Sequence, residues 1–359
     1  MRLMGSGLLK LRPPQRTRMS VPISIIICTR NRVASLARTL EAISAMRLPD
    51  DVAAELLVTD NGSSDGTGQW LRSQKLPNMP LRVVREPRPG QCRAYNRALV
   101  EASGQVMVFT DDDVIPPADW LEQLCRPILD GRADAVTGPV RAAADLARPW
   151  ITAQHLNWLA CNDSIKGGPR VFLVGANMAF STRVLNVVPG FDPEMGPGAI
   201  GHASDTLFSL QLEQVGFRLA WAPDALVEHR FDLDRLTRRA FVSQARKRGE
   251  FNAYVQWHWY HVNRPFLLVR RARAWARLMC MRLAHPIDWL TCPTVPAWEL
   301  GLLEHCHTLK AFARERRRPR NYTYCGLTKV AGEFPKSATG SAENGATPSA
   351  KLDRAEVEA

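Results

Sequence analysis

Short apolar runs and helical patterns alternate through the first third of the chain, and this alternation constrains the fold more than any other feature. The apolar runs predict buried strands at Ile23–Cys28, Glu55–Thr59 and Leu81–Arg85. Helical spacing follows each strand, at Ser35–Met46, Thr67–Gln74 and Gln91–Ala102. Strands and helices joined in this order by short loops predict parallel βαβ units in a doubly wound α/β sheet.

A fourth apolar run leads directly into three adjacent carboxylates. Gln105–Val114 reads Q-V-M-V-F-T-D-D-D-V, so a strand is predicted to end at Asp111, Asp112 and Asp113. Neighbouring like charges raise each other's pKa, and a bound divalent cation, which prefers oxygen ligands, would relieve the repulsion. The alternative is a solvated acidic loop.

A second polar cluster, Asp60–Asp65, also follows a predicted strand. Ligands of doubly wound sheets bind beyond the carboxyl ends of the strands, so two polar clusters at such ends favour a binding site. The sequence has no G-x-G-x-x-G after its first strand and no G-x-x-x-x-G-K-[ST]. This argues against dinucleotide dehydrogenases and P-loop enzymes.

The net charge of +12 lies in the flanks of the chain. Residues 1–19 carry five Lys/Arg and no acids, and residues 266–320 carry eleven Lys/Arg against four acids. Basic flanks suit nucleic acid or an anionic membrane, but the nearly neutral body gives no nucleic-acid platform, so we expect no nucleic-acid partner. Eight cysteines without a CxxC pair favour reduced thiols in a cytosolic compartment.

Several ordered motifs resemble a known family. P-I-S-I-I-I-C-T-R-N-R, L-L-V-T-D-N-G-S-S-D-G-T and the D-D-D strand are similar to the inverting family 2 glycosyltransferases of the GT-A fold. Further matches are V-G-A-N-M-A-F, P-G-F-D, S-D-T-L, G-F-R-L and A-L-V-E-H. The resemblance covers about residues 21–230. It implies a Rossmann-like, mixed and mostly parallel sheet flanked by helices.

The resemblance also implies roles for individual residues. Asp205 would be the catalytic base, and Asp113 with His229 would hold a Mg²⁺ or Mn²⁺ ion that bridges the diphosphate of a nucleotide-sugar donor. Asp111 would face the ribose, with Asp112 between the two. The remaining donor-site residues would be Thr29, Arg30, Asn31, Asp60, Asp65, Arg93 and Asn96.

The implied reaction moves a sugar, with inversion, to a hydroxyl of a lipid-linked, polysaccharide or other glycan acceptor. One carboxylate can take the acceptor proton, and a cation can stabilise the leaving diphosphate. Ser204 stands where the family has Glu, which leaves a catalytically silent sugar-nucleotide-binding or scaffold protein as the alternative. Asp205 could instead cap a helix over Thr206–Val215, and His229 could be a structural histidine.

Residues beyond the resemblance predict a basic helical extension. Leu233–Tyr260 and Phe266–Ala284 have helical patterns rich in arginine, and the second suits either an interfacial helix on anionic lipid or a helix packed on the domain. We expect a lead-in over 1–20, a GT-A domain over 21–232, a helical extension over 233–331 and a disordered tail over 332–359. The predicted location is cytoplasmic, peripheral to the inner face of the cell membrane, with the oligomeric state left open.

Overall fold

A computed structural model of the chain describes residues 20–163, 170–201 and 203–330. The strands are β1 Val21–Thr29, β2 Val52–Asp60, β3 Leu81–Arg85, β4 Val106–Asp111, β5 Val114–Ile115, β6 Ala135–Thr137, β7 Val140–Ala142, β8 Asn177–Ser181, β9 Leu219–Trp221 and β10 Val227–His229. The α-helices are α1 Val33–Ser44, α2 Thr67–Ser73, α3 Gln91–Glu101, α4 Trp120–Leu129, α5 Ala153–Trp158, α6 Ser204–Gln214, α7 Arg238–Tyr254, α8 Leu267–Ala284, α9 Pro286–Thr291 and α10 Ala297–Glu315. Of the lead-in predicted over 1–20, residues 1–19 lie outside the described residues, as does the predicted tail over 332–359.

Seven strands form the main sheet in the order β3-β2-β1-β4-β8-β6-β9. β1 pairs in parallel with β2 and β4, and β2 pairs in parallel with β3. β8 runs antiparallel to both β4 and β6, while β9 is parallel to β6. The prediction of a mixed, mostly parallel sheet is therefore confirmed.

The first strand shows why these sequences form a central sheet. Ile23 and Ile25 pack into the hydrophobic core on one face of the sheet, and Ile26 packs into the core on the other face. Side chains alternate between the faces of a strand, so a run of β-branched residues fills both cores at once. Helices cover both faces, as expected for a doubly wound architecture.

A second, three-stranded sheet in the order β5-β10-β7 lies beside the end of β4. β5 begins one residue after Asp113, and its Val114 is paired with His229 of β10. The backbone N–H of Arg230 also donates to the carbonyl oxygen of Asp113 at 2.8 Å. This sheet therefore joins two parts of the chain that are more than a hundred residues apart.

The C-terminal helices share both hydrophobic cores with the strands. Phe241 and Leu303 belong to the core that contains Ile25, and Tyr254 and Tyr322 belong to the core that contains Ile26. The helix predicted over Leu233–Tyr260 has three parts: a 3₁₀ turn at Leu233–Leu236, α7, and a π-helical turn at Val255–Trp259. Thr237 interrupts the pattern because its hydroxyl accepts from the N–H of Ala240 at 3.2 Å and caps α7. Among the described residues, no helix has both the length and the apolar composition to cross a bilayer.

Candidate active site

The predicted polar clusters meet at one edge of the main sheet. Strand register places Thr29 of β1 beside Asp60 of β2, and Cys28 of β1 beside Asp111 of β4. Beyond this edge lies a cleft of about 1380 Å³ whose lining includes the Asp111–Asp113 triplet and Asp205. The carboxyl ends of parallel strands thus form one wall of the cleft.

Arg32 holds the aspartate triplet together. Its Nη1 lies 2.8 Å from Asp112 Oδ1 and 2.9 Å from Asp113 Oδ2, and both carboxylates are buried. Thr29 adds a hydrogen bond of 2.7 Å from its hydroxyl to Asp112 Oδ2. A hydroxyl at the end of β1 and a cation in the β1–α1 loop therefore offset much of the repulsion among the aspartates.

His229 is the second partner of the triplet. Its Nε2 lies 3.2 Å from Asp113 Oδ1 and 3.4 Å from a guanidinium nitrogen of Arg235. Burial opposes ionisation of Asp113, yet His229, Arg32 and Arg235 outweigh it and hold the pKa of that carboxyl well below its usual range. Asp113 is therefore an anion at neutral pH.

Asp111 and Asp112 have the opposite electrostatic balance. Burial, followed by the charges of Asp113 and Asp112, raises the pKa of Asp111 to about 7. Burial also raises the pKa of Asp112 to about 6, against the opposing effect of Arg32. The triplet thus contains one firmly ionised carboxylate and two whose charge depends on pH near neutrality.

Asp205 lies in the first turn of α6 and faces the same cleft. Its Oδ2 accepts from the N–H of Gly175 and its Oδ1 from the N–H of Thr206, both at 2.8 Å. Burial raises its pKa despite these bonds. The capping alternative is wrong, because the helix begins at Ser204 and Ala203, with φ +55°, occupies the N-cap position.

Two of the predicted donor-site residues line this cleft, namely Thr29 and Arg30, in addition to the triplet. Asn31, with φ +56°, instead accepts from the N–H of Ser64 at 2.8 Å. Asp60 accepts from the N–H of Ser63 at 2.9 Å and borders a smaller polar hollow of about 220 Å³. The structure therefore places these two residues in the wall beside the cleft.

Three further predicted donor-site residues contact the chain around the cleft, namely Asp65, Asn96 and Arg93. Asp65 accepts from the N–H and the hydroxyl of Thr67 at the start of α2. Asn96 bridges α3 to Phe191, donating to its carbonyl at 2.7 Å and accepting from its N–H at 2.8 Å. Arg93 lies against Gly90, which lines the cleft. Their side-chain contacts order loops around the cleft.

Sequence reasoning assigned no role to Arg32 or to the helix α7. Three adjacent carboxylates at a strand end call for a cation nearby, and Arg32 in the preceding βα loop was the available signal. α7 forms the opposite wall of the cleft, with Arg239, Lys247 and Arg248 among its lining residues. That position had no sequence signal, since it depends on how the helix packs.

Nor do the side chains supply a complete metal site. Within the three described ranges, three or more His, Cys, Asp or Glu side chains do not converge on one metal position. Asp113 and His229 offer an anionic oxygen and an imidazole nitrogen, both acceptable to Mn²⁺. An ion held there would displace one of the contacts of Asp113 and take further ligands from a diphosphate or water.

Part of the chain matches a known protein family. The model of the family described as glycosyl transferase family 2 matches residues 24–188. These residues belong to glycosyltransferase family 2. The family 2 domain thus contains the β1–α1 loop and the triplet, while Asp205, His229 and α7 lie beyond the matched range.

Curated relatives and a solved structure agree with the family. Glycosyltransferase AglE of Haloferax volcanii is 31% identical over 120 residues, covering 33% of this chain and 39% of the relative. Succinoglycan biosynthesis protein ExoM of Rhizobium meliloti is 33% identical over 122 residues, covering 33% of this chain and 39% of the relative. The match thus spans about two fifths of the length of these relatives. Mannosyltransferase PcManGT of Pyrobaculum calidifontis, solved with GDP-Man and Mn²⁺, has a TM-score of 0.53 at 21% identity and covers 82% of this chain and 86% of that one. The fold is GT-A.

Proposed function

We propose that this protein is an inverting glycosyltransferase that moves a sugar from a nucleoside diphosphate to a hydroxyl of a glycan or lipid-linked acceptor. One observation carries the proposal: the Asp111–Asp113 triplet and the partly exposed Asp205 line the same cleft. The family match supports the reaction type. The cleft thus offers candidate groups for both requirements of glycosyl transfer, a site for the diphosphate and a base.

At the donor end, Asp111 binds the ribose, Thr29 and Arg30 line the nucleotide pocket, and Asp112 orients Arg32 and Thr29. Asn31, Asp60, Asp65, Arg93 and Asn96 hold the surrounding loops in place. Asp113 and His229 would hold a Mg²⁺ or Mn²⁺ ion, and such an ion would supply Lewis-acid stabilisation of negative charge on the diphosphate. The solved mannosyltransferase, which contains Mn²⁺ and GDP-Man, supports a divalent cation and a nucleotide-sugar donor for this fold.

Asp205 acts as the base at the other side of the transferred sugar. Its carboxylate takes the proton of the acceptor hydroxyl while that oxygen bonds to the anomeric carbon, and the bond from that carbon to the diphosphate breaks with its electron pair. The N–H groups of Gly175 and Thr206 fix the orientation of the carboxylate. A raised pKa makes Asp205 a better proton acceptor at neutral pH.

The acceptor enters between α7 and the family 2 domain. A cleft of about 1380 Å³ exceeds the roughly 300–1,000 Å³ of a typical single-ligand pocket. It therefore has room for donor and acceptor together. Lys247 faces this space and has no carboxylate partner among the described residues, so it is placed to meet an anionic part of either substrate.

The activity can be tested with a panel of UDP-, GDP- and dTDP-sugars in the presence of Mn²⁺. Thermal shift reports binding, because a ligand of the native state raises the melting temperature. Release of the nucleoside diphosphate, with and without an acceptor, reports turnover. Metal-dependent binding with turnover supports the enzyme, while binding with no turnover on any acceptor supports the silent alternative raised by Ser204. No binding at all contradicts both.

A membrane-facing surface is the second part of the proposal. We define the α8 stripe as Leu268, Trp275, Met279 and Leu283, which share one face of the helix because their spacings are seven, four and four residues. Leu268 is 77% exposed and Leu283 is 80% exposed, whereas Leu267, Ala274 and Leu278 pack inward. The outward face of α8 therefore exposes apolar side chains as well as arginines, and this supports the interfacial alternative.

The same helix carries exposed arginines, among them Arg273 and Arg277. The next helix, α9, adds Ile287 and Leu290, both 73% exposed. Apolar side chains beside arginines suit the interface of an anionic bilayer. This surface is proposed to hold the protein at the inner face of the cell membrane, near a lipid-linked acceptor.

Co-sedimentation with vesicles tests this docking. Wild-type protein should bind phosphatidylcholine vesicles that contain phosphatidylserine, and a Leu268→Gln/Leu283→Gln variant should bind them much less. Val100→Gln, which changes an exposed apolar residue on α3, is the matched control and should bind like wild type. Equal binding of all three proteins would contradict the role of the α8 stripe.

A further inference from the structure

Tyr95 has a buried hydroxyl that the proposed mechanism does not use. The residue lies on α3 and is 1% exposed. Its ring contacts those of Phe109 and Phe191, with centroids 4.8 Å and 5.2 Å away. The hydroxyl has no hydrogen-bond partner among the described residues. A buried polar group left without a partner costs roughly 1–3 kcal/mol, so a position that keeps one needs an explanation.

The hydroxyl lies at the floor of the cleft, next to the proposed base. Tyr95, Gly175 and Asp205 all line the cleft. A Cβ on Gly175 would stand 3.2 Å from the Tyr95 hydroxyl oxygen and 3.6 Å from Asp205 Oδ2. The glycine therefore leaves free a small space that the tyrosine hydroxyl and the carboxylate share.

The chemistry of the two groups selects what can occupy this space. Burial, and then the charge of Asp111, raises the pKa of Tyr95, so the phenol keeps its proton and offers a donor. An ionised Asp205 offers an acceptor. A group between them has to accept from one and donate to the other, which a hydroxyl does and a phosphate oxygen beside a carboxylate does not.

We propose that the Tyr95 hydroxyl donates a hydrogen bond to a sugar hydroxyl bound beside Asp205, and that Gly175 keeps the space for that hydroxyl open. Tyr95 is then a residue that selects and positions the sugar. The inference rests on the proposed function. The sugar hydroxyl belongs either to the sugar being transferred or to the acceptor, and binding measurements separate the two sources.

The experiment compares wild type with Tyr95→Phe and Gly175→Ala. Phenylalanine retains the ring contacts with Phe109 and Phe191, and Gly175 has no left-handed φ that an alanine would strain. Gly301→Ala on α10 is the matched control, because the nearest atom to its added Cβ is 3.9 Å away. Calorimetry in the presence of Mn²⁺ measures the affinity for each nucleotide sugar, namely UDP-glucose, UDP-GlcNAc and GDP-mannose. The affinities for UDP and GDP serve as the reference.

If the hydroxyl belongs to the donor sugar, Tyr95→Phe should lower the affinity for the nucleotide sugar about 3- to 10-fold, the effect of losing one neutral hydrogen bond. The affinity for the nucleoside diphosphate should stay within about twofold of wild type. Gly175→Ala should do the same, and Gly301→Ala should change neither. If the hydroxyl belongs to the acceptor, donor binding stays unchanged and the KM for the acceptor rises by a similar factor.

Other results would overturn the inference. Unchanged donor binding together with an unchanged acceptor KM would do so. An equal loss for nucleotide sugar and nucleoside diphosphate, with a lower melting temperature, would show that Tyr95 is only structural. Failure of wild type to bind any nucleotide sugar would overturn the proposed function as well, whereas a difference confined to the variants concerns Tyr95 alone.

Discussion

Asp113 and Asp205 lie in one cleft but in opposite electrostatic surroundings. Asp113 is buried among the cations of Arg32 and Arg235 and the ring of His229, which hold its pKa below the usual range despite burial. The carboxylate oxygens of Asp205 accept from the backbone N–H groups of Gly175 and Thr206, and burial raises the pKa of Asp205 despite these bonds. One carboxylate is therefore a permanent anion, and the other is suited to take up a proton.

This difference separates the proposed roles. Groups whose environments push their pKa values apart are the natural candidates for distinct acid, base and electrostatic functions. A fixed anion can hold a cation at the diphosphate, and a carboxylate with a raised pKa can act as the base. Single substitutions at the residues around the two carboxylates test this assignment, and the largest effect is expected at the proposed base.

Asp205→Asn should remove the base and leave the donor end intact. We expect turnover to fall about 10²- to 10⁴-fold, the usual contribution of a positioned general base, with nucleotide-sugar affinity within about threefold of wild type. Asparagine also avoids the cost of a buried charge, so the melting temperature should not fall. Asp234→Asn, an exposed carboxylate that also lines the cleft, is the control. Retained turnover in Asp205→Asn would show that the base lies elsewhere.

Arg32→Gln should leave Asp112 and Asp113 without their shared cation. Because both carboxylates are buried, the free energy of unfolding should fall by about 3 kcal/mol, and Mn²⁺ should restore part of it. Urea denaturation with and without Mn²⁺ measures both effects. The exposed neighbour Arg30→Gln should change stability little. A loss that Mn²⁺ leaves unchanged would argue against a cation at Asp113.

The pH dependence of turnover and of nucleotide binding should also reflect the ionisation of the individual carboxylates. Between about pH 8 and about pH 5, kcat/KM should fall as Asp111, with a pKa of about 7, and Asp205, with a raised pKa, take up protons and lose the ionised form. Affinity for the nucleoside diphosphate should fall too, since it depends on Asp111. In Asp111→Asn that loss of affinity should disappear. A wild-type affinity that is constant over this range would contradict the role of Asp111.

The smallest effect is expected at the opposite wall of the cleft. Lys247→Gln should raise the KM of an anionic substrate about 3- to 10-fold, because it removes one charge-assisted contact. Arg246→Gln, the exposed neighbour on α7, should leave KM unchanged. Steady-state kinetics at two salt concentrations separates a local contact from general attraction, since screening weakens the latter. Equal effects of both substitutions would assign the role to net charge.

Most of the sheet could be predicted because its signals are local. The alternation of apolar runs with helical spacing depends on neighbours within a few residues, and the bounds of β3 coincide with the predicted Leu81–Arg85. Parallel pairing then brings the strand ends together, so Asp60 and Asp111 were expected at the same edge. The motifs added Asp205 and His229 by their resemblance to a family.

The same local signals could not distinguish lining residues from supporting ones. Asp65 and Asn96 belong to motifs, yet the structure shows one at the start of α2 and the other bridging to Phe191. The capping alternative for Asp205 failed for a related reason. The helix begins at Ser204, after Ala203 with φ +55°, and the residue types around Asp205 did not indicate that start.

The sequence by itself determined the α/β sheet, the edge at which the polar clusters meet and the resemblance to glycosyltransferase family 2. Only the tertiary structure decided which charges offset the triplet, that α7 closes the cleft, that α8 presents an apolar face outward, and that Tyr95 and Asp205 both lie beside Gly175. The physical reason is one of range. Strand and helix patterns follow from periodicity along the chain, whereas charge compensation and burial depend on side chains that folding brings together from distant positions.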